Sequence, residues 1–318
     1  MSQVELDFTG FVSNVDSSIL QVKLNHGFII DSLLEKEGFD VLALLEGAEN
    51  LVPFTVAQWE FQSRIAFEAH CLNLSERRFF VIRNSFSCPV GSNPLDYSNI
   101  VNETSKFHVS HVQNYLEPTL RLMRLFKEGD IRMPMCYYCI MDNGKPKLRR
   151  KHFKGQHVSG ELFSIVGEEL SDLNSFISNT RLPFSSTHLQ LAFENFELSY
   201  ETPNPCSSFL ALMSALETLL NPGESEVRYR IGRNLSVLLG KDRNDSSRIF
   251  SEFQSLYQVR SKILHSGRLD SLSTEDLPRL RHYVRASIIE ICRLGRNKDE
   301  ILDLLNTHGF GERIPLKQ

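Results

Sequence analysis

The sequence predicts an α+β protein, with a β-rich N-terminal domain over residues 1–182 and an all-helical bundle over 183–318. Three observations predict it. Apolar residues alternate with polar ones in the first half, the period of a strand with one wet face. From about residue 160 the period becomes helical, and Pro183 breaks the chain shortly afterwards. The length of 318 residues is also more than one compact domain usually holds, and it suits two.

The clearest strand lies at 57–69. There Ala57, Trp59, Phe61, Ile65 and Phe67 fall on one face, and Gln58, Glu60, Gln62, Arg64 and Glu68 on the other. Segments 6–12, 19–24 and 78–83 read as further short strands. MPMCYYCIM followed by DNGK reads as a strand entering a hairpin, because Asp and Gly combinations favour positive φ. A helix is expected over 110–127. ELFSIVGEELSDLNSFIS carries a helical stripe of Leu162, Ile165, Val166, Leu170, Leu173 and Phe176, and this helix connects the two halves. The second half divides into helices near 186–201, 205–221, 225–240, 245–266, 275–295 and 297–307, punctuated by Pro203, Pro205, Pro222, Gly223, Gly240 and Gly267.

Composition narrows the functional classes. Hydrophobic residues make up 41% and charged residues 23%, so a core of ordinary size is expected and long disorder is not. The net charge of −4 excludes a globally basic nucleic-acid binder and leaves room only for a local patch. The opening MSQVELDFTG has neither the basic nor the apolar region of a secretory signal, and apolar runs reach only about five residues, as in FLALM. Cysteines at 71, 88, 136, 139, 206 and 292 follow no framework spacing and are expected to be reduced. The expected location is the cytoplasm. No phosphate-cradling Gly-rich loop, serine elbow or His-Glu-x-x-His is present, so kinase, hydrolase and zincin chemistry lack a motif.

Four Arg and His pairs have an Arg-x(4–6)-His spacing: Arg64/His70, Arg150/His157, Arg181/His188 and Arg260/His265. The first lies on the wet face of a strand pattern, the second in a basic polar stretch, and the third straddles Pro183. Only Arg260 and His265 sit at the end of an amphipathic helix, whose expected stripe is Phe250, Phe253, Leu256, Tyr257 and Leu264. At 100° per residue Arg260 falls within about 40° of the centre of that stripe, and His265 lies about 140° from Arg260. A guanidinium on an apolar face must be paired or used. One alternative is therefore a structural ion pair between Arg260 and Glu217, with His265 a cation favoured at a helix C-terminus. The other is a catalytic pair, which converges on one ligand only if the helix end unwinds or a second subunit contributes its own pair.

Three segments carry a family resemblance: HLQLAFENFELSYE, FLALMSALETLLNPGESEVRYRIGRNLSVLLG and FSEFQSLYQVRSKILHSG. Leu-Glu-x-Leu-Leu at 216–220 and Leu-Tyr-x-x-Arg-Ser-x-x-x-His-Ser-Gly at 256–267 are the most specific parts, and Arg233 to Val237 matches an Arg-x-x-x-Leu feature with Val in the last place. Together they resemble the Apea-like HEPN family over roughly 185–295. The first half resembles the β-rich regions that often precede such domains. The resemblance implies a metal-independent ribonuclease, acting in anti-phage or stress defence and built as a homodimer. His265 would take the proton of a ribose 2′-OH, Arg260 would stabilise the phosphorane, and a 2′,3′-cyclic phosphate would be left. Glu217, Tyr257 and Ser261 would support the pair. The residue after the arginine is often Asn, Asp or His in active HEPN nucleases; here it is Ser261, as in many Apea-like members. No cofactor and no metal are implied. A non-catalytic HEPN module for dimerisation, or for binding a nucleotide or a protein partner, shares the fold and stands as the alternative.

Two further features compete. Cys136-x2-Cys139-x12-His152-x4-His157 has the spacing of a two-Cys two-His zinc finger. Tyr137 and Tyr138 between the cysteines favour a continuous strand, which sends the two thiols to opposite faces, so zinc is not expected. The run LRRKHFKGQH at 148–157 is the one dense basic patch, either a solvated strand or a contact to RNA or phosphate. From residue 185 onward Lys+Arg and Asp+Glu each number 17, so avid nonspecific RNA binding is not expected of the helical half.

Overall fold

A computed structural model of the chain describes residues 2–46, 71–90, 97–142, 145–153, 160–223, 225–267, 269–312 and 314. The fold is α+β, and the chain divides into two compact units, Met1–Thr180 and Arg181–Gln318.

The first unit is built on an antiparallel sheet. Its strands are β1 (Ser2–Ser13), β2 (Ile29–Leu34), β3 (Leu72–Asn73), β4 (Arg78–Val90), β5 (Arg132–Asp142) and β6 (Lys145–Phe153). The order is β2-β4-β1-β5-β6, with β3 paired to β4. β1 is central: Gly10 lies opposite Ile82 on one side and Cys136 on the other. A Cβ at Gly10 would stand 2.2 Å from Met133 Sδ, so only glycine lets that side chain cross the strand.

Each face of the sheet has its own core, as alternation requires. On one face Leu6, Phe8, Phe80, Ile82, Cys136 and Tyr138 pack with Phe107, Val112 and Leu116. The latter come from a long helical segment made of α2 (Tyr97–Phe107), π-helical turns over His108–Leu116, and α3 (Glu117–Phe126). On the other face Phe11, Phe79, Val81, Tyr137 and Cys139 pack with Leu42 and Leu45 of α1 (Glu35–Glu46).

The strand expected at 57–69 lies outside the described residues. The strand expected at 19–24 is corrected: Ser17–Gln21 form a 3-10 turn. Asp16 accepts hydrogen bonds from the backbone N–H and the hydroxyl of Ser18, and such local bonds compete with a strand ladder. The connector helix begins later than its apolar stripe suggests. Phe163 is bridged to Val15, and α4 runs Gly167–Asn179. Its Leu173 is fully buried in the core of the first unit, which settles the ownership of this helix.

The second unit is a helical bundle: α5 (Thr187–Glu201), α6 (Pro205–Leu220), α7 (Val227–Leu239), α8 (Arg243–Ser266), α9 (Asp276–Leu294) and α10 (Lys298–Thr307). The boundaries follow capping chemistry. Asn204, Asp242 and Asn297 accept backbone N–H groups at the starts of α6, α8 and α10, and Gly267 and Gly295 close α8 and α9 with positive φ. α6 is the innermost helix, with Phe209, Leu212, Ala215, Leu216 and Leu220 fully buried. Adjacent residues of α7 then hold two other helix ends. Asn234 donates to Leu220 O at 3.0 Å, and the Arg233 guanidinium donates to Leu305 O at 2.7 Å and to His308 O at 2.9 Å. No helix among the described residues is long and apolar enough to cross a membrane.

Arg233 is therefore a clamp on the last turn of α10, where free carbonyls would otherwise face solvent. Arg233→Met is expected to destabilise the protein by about 1.5–3 kcal/mol, the range for hydrogen bonds made by a charged group. Denaturant titration measures the loss, and hydrogen exchange should show α10 deprotected before α6. Unchanged stability with unchanged protection of α10 would refute the clamp.

Candidate functional site

The candidate pair lies on α8, a helix of 24 residues. Ile249, Phe253, Leu256 and Ile263 form its buried stripe. This corrects the expected stripe in part: Leu264 is 49% exposed, and Phe250 and Tyr257 are half-buried on the flank. The correction keeps Arg260 on the core-facing side, within about 30° of the stripe's centre on an ideal helix. His265 lies about 140° from Arg260 on the same ideal helix. It is exposed, in the last turn before the Gly267 cap, and makes no hydrogen bond or ion pair among the described residues.

Arg260 meets the carboxylate that the sequence nominated. Its Nη2 is 2.9 Å from Glu217 Oε1, with the two side chains 24% and 26% exposed. The oxygen is itself buried and the contact is out of line for a hydrogen bond, so the attraction is that of an ion pair at close range. The Arg260 guanidinium carbon also lies 5.1 Å from the centre of the Tyr257 ring, in cation–π range. Glu217 stands one turn before the end of α6, the end that Asn234 holds. The structure thus brings Arg260, Glu217 and Tyr257 together. It does not bring His265 to them, and half-buried Ser261 lies between the two groups on the helix surface.

The remaining arc of α8 is informative. On an ideal helix Leu264, Tyr257 and Ser261 fall at about 40°, 60° and 100° round from Arg260, inside the 140° that separates it from His265. The arc between the two candidate groups therefore carries an exposed leucine and a half-buried tyrosine.

The second constellation resolves differently. Cys136 lies opposite His152 in the β5–β6 register, on the face that packs against the π-helical turns. Cys139 belongs to the core on the opposite face, and His157 lies outside the described residues. No group of three or more His, Cys, Asp or Glu among the described residues could hold a metal ion. What forms instead is a polar seam inside the sheet's helical face. His108 Nδ1 is 2.5 Å from Tyr138 Oη, and the His108 and His152 rings stack at 4.3 Å and 12°. Arg150 donates to Thr104 Oγ1 at 3.0 Å and Ser105 Oγ at 2.8 Å. Burial, and then the neighbouring Cys136, push the Tyr138 phenol far above its ordinary range, so it stays protonated. Period-two patterning could have placed Tyr138 and His152 on one face; nothing in the sequence pairs them with His108.

Comparisons with protein-family models, curated proteins and solved structures find no match to this chain.

A double-mutant cycle on Arg260→Met and Glu217→Gln should give a coupling of about 1–3 kcal/mol, above an exposed pair and below a fully buried one. His265→Ala, on an exposed position, should shift stability by less than about 0.5 kcal/mol. A zero coupling, or early melting of His265→Ala, contradicts these placements. Metal analysis of protein purified without chelator should find no zinc; stoichiometric zinc lost in Cys139→Ser would overturn the seam.

Proposed function

We propose that the helical unit is a metal-independent endoribonuclease of the HEPN type, working as a homodimer and leaving a 2′,3′-cyclic phosphate. The observation that carries this reading is the placement of both candidate groups at one end of α8. Arg260 is anchored by Glu217 without being fully buried, and His265 is open on the final turn. Anchoring favours catalysis here. A guanidinium has five donors in a fixed fork, and an ion pair through one nitrogen orients the rest for phosphate oxygens.

The chemistry needs no cofactor. His265 removes the 2′-OH proton as the 2′-oxygen bonds to phosphorus. Arg260 stabilises the extra charge on the non-bridging oxygens. The bond to the 5′-oxygen then breaks, and that oxygen takes a proton from water. One helix holds the two side chains too far round to serve one phosphate. A two-fold partner packed on the Tyr257–Ser261–Leu264 arc would set the Arg260 of one copy against the His265 of the other. The role in defence comes from the family resemblance alone.

A second reading, a non-catalytic interaction module, is favoured by the same ion pair taken as purely structural.

RNA cleavage in EDTA separates the two. Arg260→Ala and His265→Ala should each lose activity, by about 10²–10³-fold and 10²–10⁴-fold respectively. Mixing the two inactive variants should restore about a quarter of wild-type activity, because half the dimers are mixed and each then has one intact site of two. An active His265→Ala with unchanged products sinks the nuclease and leaves the module. Light scattering showing a strict monomer at tens of micromolar, a concentration well above ordinary dimer Kd values of about micromolar or below, sinks the shared site.

A further inference from the structure

β6 is the last strand of the sheet among the described residues, so its outer edge has no described strand beside it. In nine residues it carries Lys145, Lys147, Arg149, Arg150 and Lys151. No carboxylate occurs between Asp142 and Glu161. The register distributes these cations around the edge. Arg149 and Lys151 pair with Cys139 and Tyr137 on one face of the sheet, and Arg150 pairs with Tyr138 on the other. Pairing jumps from Leu148 to Pro146 across Ile140 and Met141, so Lys147 is the extra residue of a bulge. Register positions on both faces of the strand therefore carry cationic residues.

The strand is also held firmly. Arg150 is bonded to Thr104 and Ser105, His152 stacks on His108, and the Lys151 ammonium stands 5.6 Å from the centre of the Tyr137 ring. These interactions hold the strand at residues 150–152, the stretch that follows Lys145, Lys147 and Arg149.

The geometry points to a single-stranded RNA site along the β6 edge, gripping the phosphate backbone without reading sequence. Charge decides the ligand class. The helical half is electrically balanced, with 17 Lys+Arg and 17 Asp+Glu from residue 185 onward. An enzyme acting on RNA from there needs its phosphate affinity supplied elsewhere, and β6 is the densest cationic segment in the chain. The choice of RNA among polyanions rests on the nuclease reading above; the cationic edge does not.

The test measures binding, not cleavage. Full-length protein carrying His265→Ala is titrated into a labelled single-stranded uridine oligomer by fluorescence anisotropy over a series of salt concentrations. The comparison adds Lys145→Gln, Lys147→Gln and Arg149→Gln, and spares Arg150 and Lys151 because they hold the fold. Affinity should fall at least about tenfold, and the slope of log K against log salt should flatten by about 2, since each phosphate left without its cation removes about 0.7 from the slope. Should the triple variant melt early, Lys147→Glu alone, in the bulge, should still weaken binding. Unchanged affinity in both variants overturns the site. So does aggregation with unchanged affinity, the behaviour of lysines that only guard an open edge against strand pairing. Polyglutamate that binds as tightly as RNA, with the same losses, assigns the edge to an acidic polypeptide and overturns the RNA assignment. A wild-type protein that cuts no RNA, yet loses binding with the three cations, ends the nuclease reading and leaves the β6 site standing.

Discussion

A positive charge sits on the inward side of α8, and the packing of the helical unit around it follows. Arg260 lies on the stripe that buries Phe253, Leu256 and Ile263, where an unpaired guanidinium would be costly. Glu217 meets it from the most buried helix of the unit, and the Tyr257 ring lies beside it. The end of α6 that carries Glu217 is secured by Asn234, and its neighbour Arg233 secures the end of α10. Two helix ends of the unit are thus tied by adjacent polar side chains of α7. Arg260 belongs to the packing as well as to the proposed chemistry, and its removal should be felt in stability.

The same helix sets the limit on what one chain can do. Five residues of α-helix carry the side chain nearly half-way round, so Arg260 and His265 cannot converge while α8 remains regular to its glycine cap. The geometry needed for phosphate chemistry is a property of an assembly. The exposed Leu264 lies between the two groups, which makes that arc the part of α8 best suited to such an assembly.

Much of this was legible in the sequence because it depends on local rules. Prolines, glycines and helical periodicity placed the six helices of the second unit within two residues of their observed ends. Helical phase put Arg260 on the apolar side, where it needs a partner, and Glu217 of ALETLL was the candidate. Alternation put Cys136 and Cys139 on opposite faces. The misreadings have physical causes too. Residues 19–24 have the composition of a strand, but Asp16 caps Ser17–Gln21 into a turn. The stripe of α8 was assigned to Leu264, although Ile249 and Ile263 are the residues its neighbours cover. The stacking of His152 on His108 joins a strand to a helix 44 positions away, by their numbers, and no local pattern records such a pairing.

The central place of β1 bears on how the chain is made. Gly10 needs Ile82 on one side and Cys136, 126 positions later, on the other. At a synthesis rate of about 5–20 residues per second, β1 waits on the order of ten seconds for its second neighbour. Throughout that interval Leu6, Phe8 and Phe11 lack half of their eventual cover, and both hydrogen-bonding edges of the strand are open in turn. The helical unit emerges later, and its neighbouring helices are close in sequence, so it can fold as it appears. The nascent sheet, and not the helical unit, is the part of this chain that stays incomplete longest during synthesis.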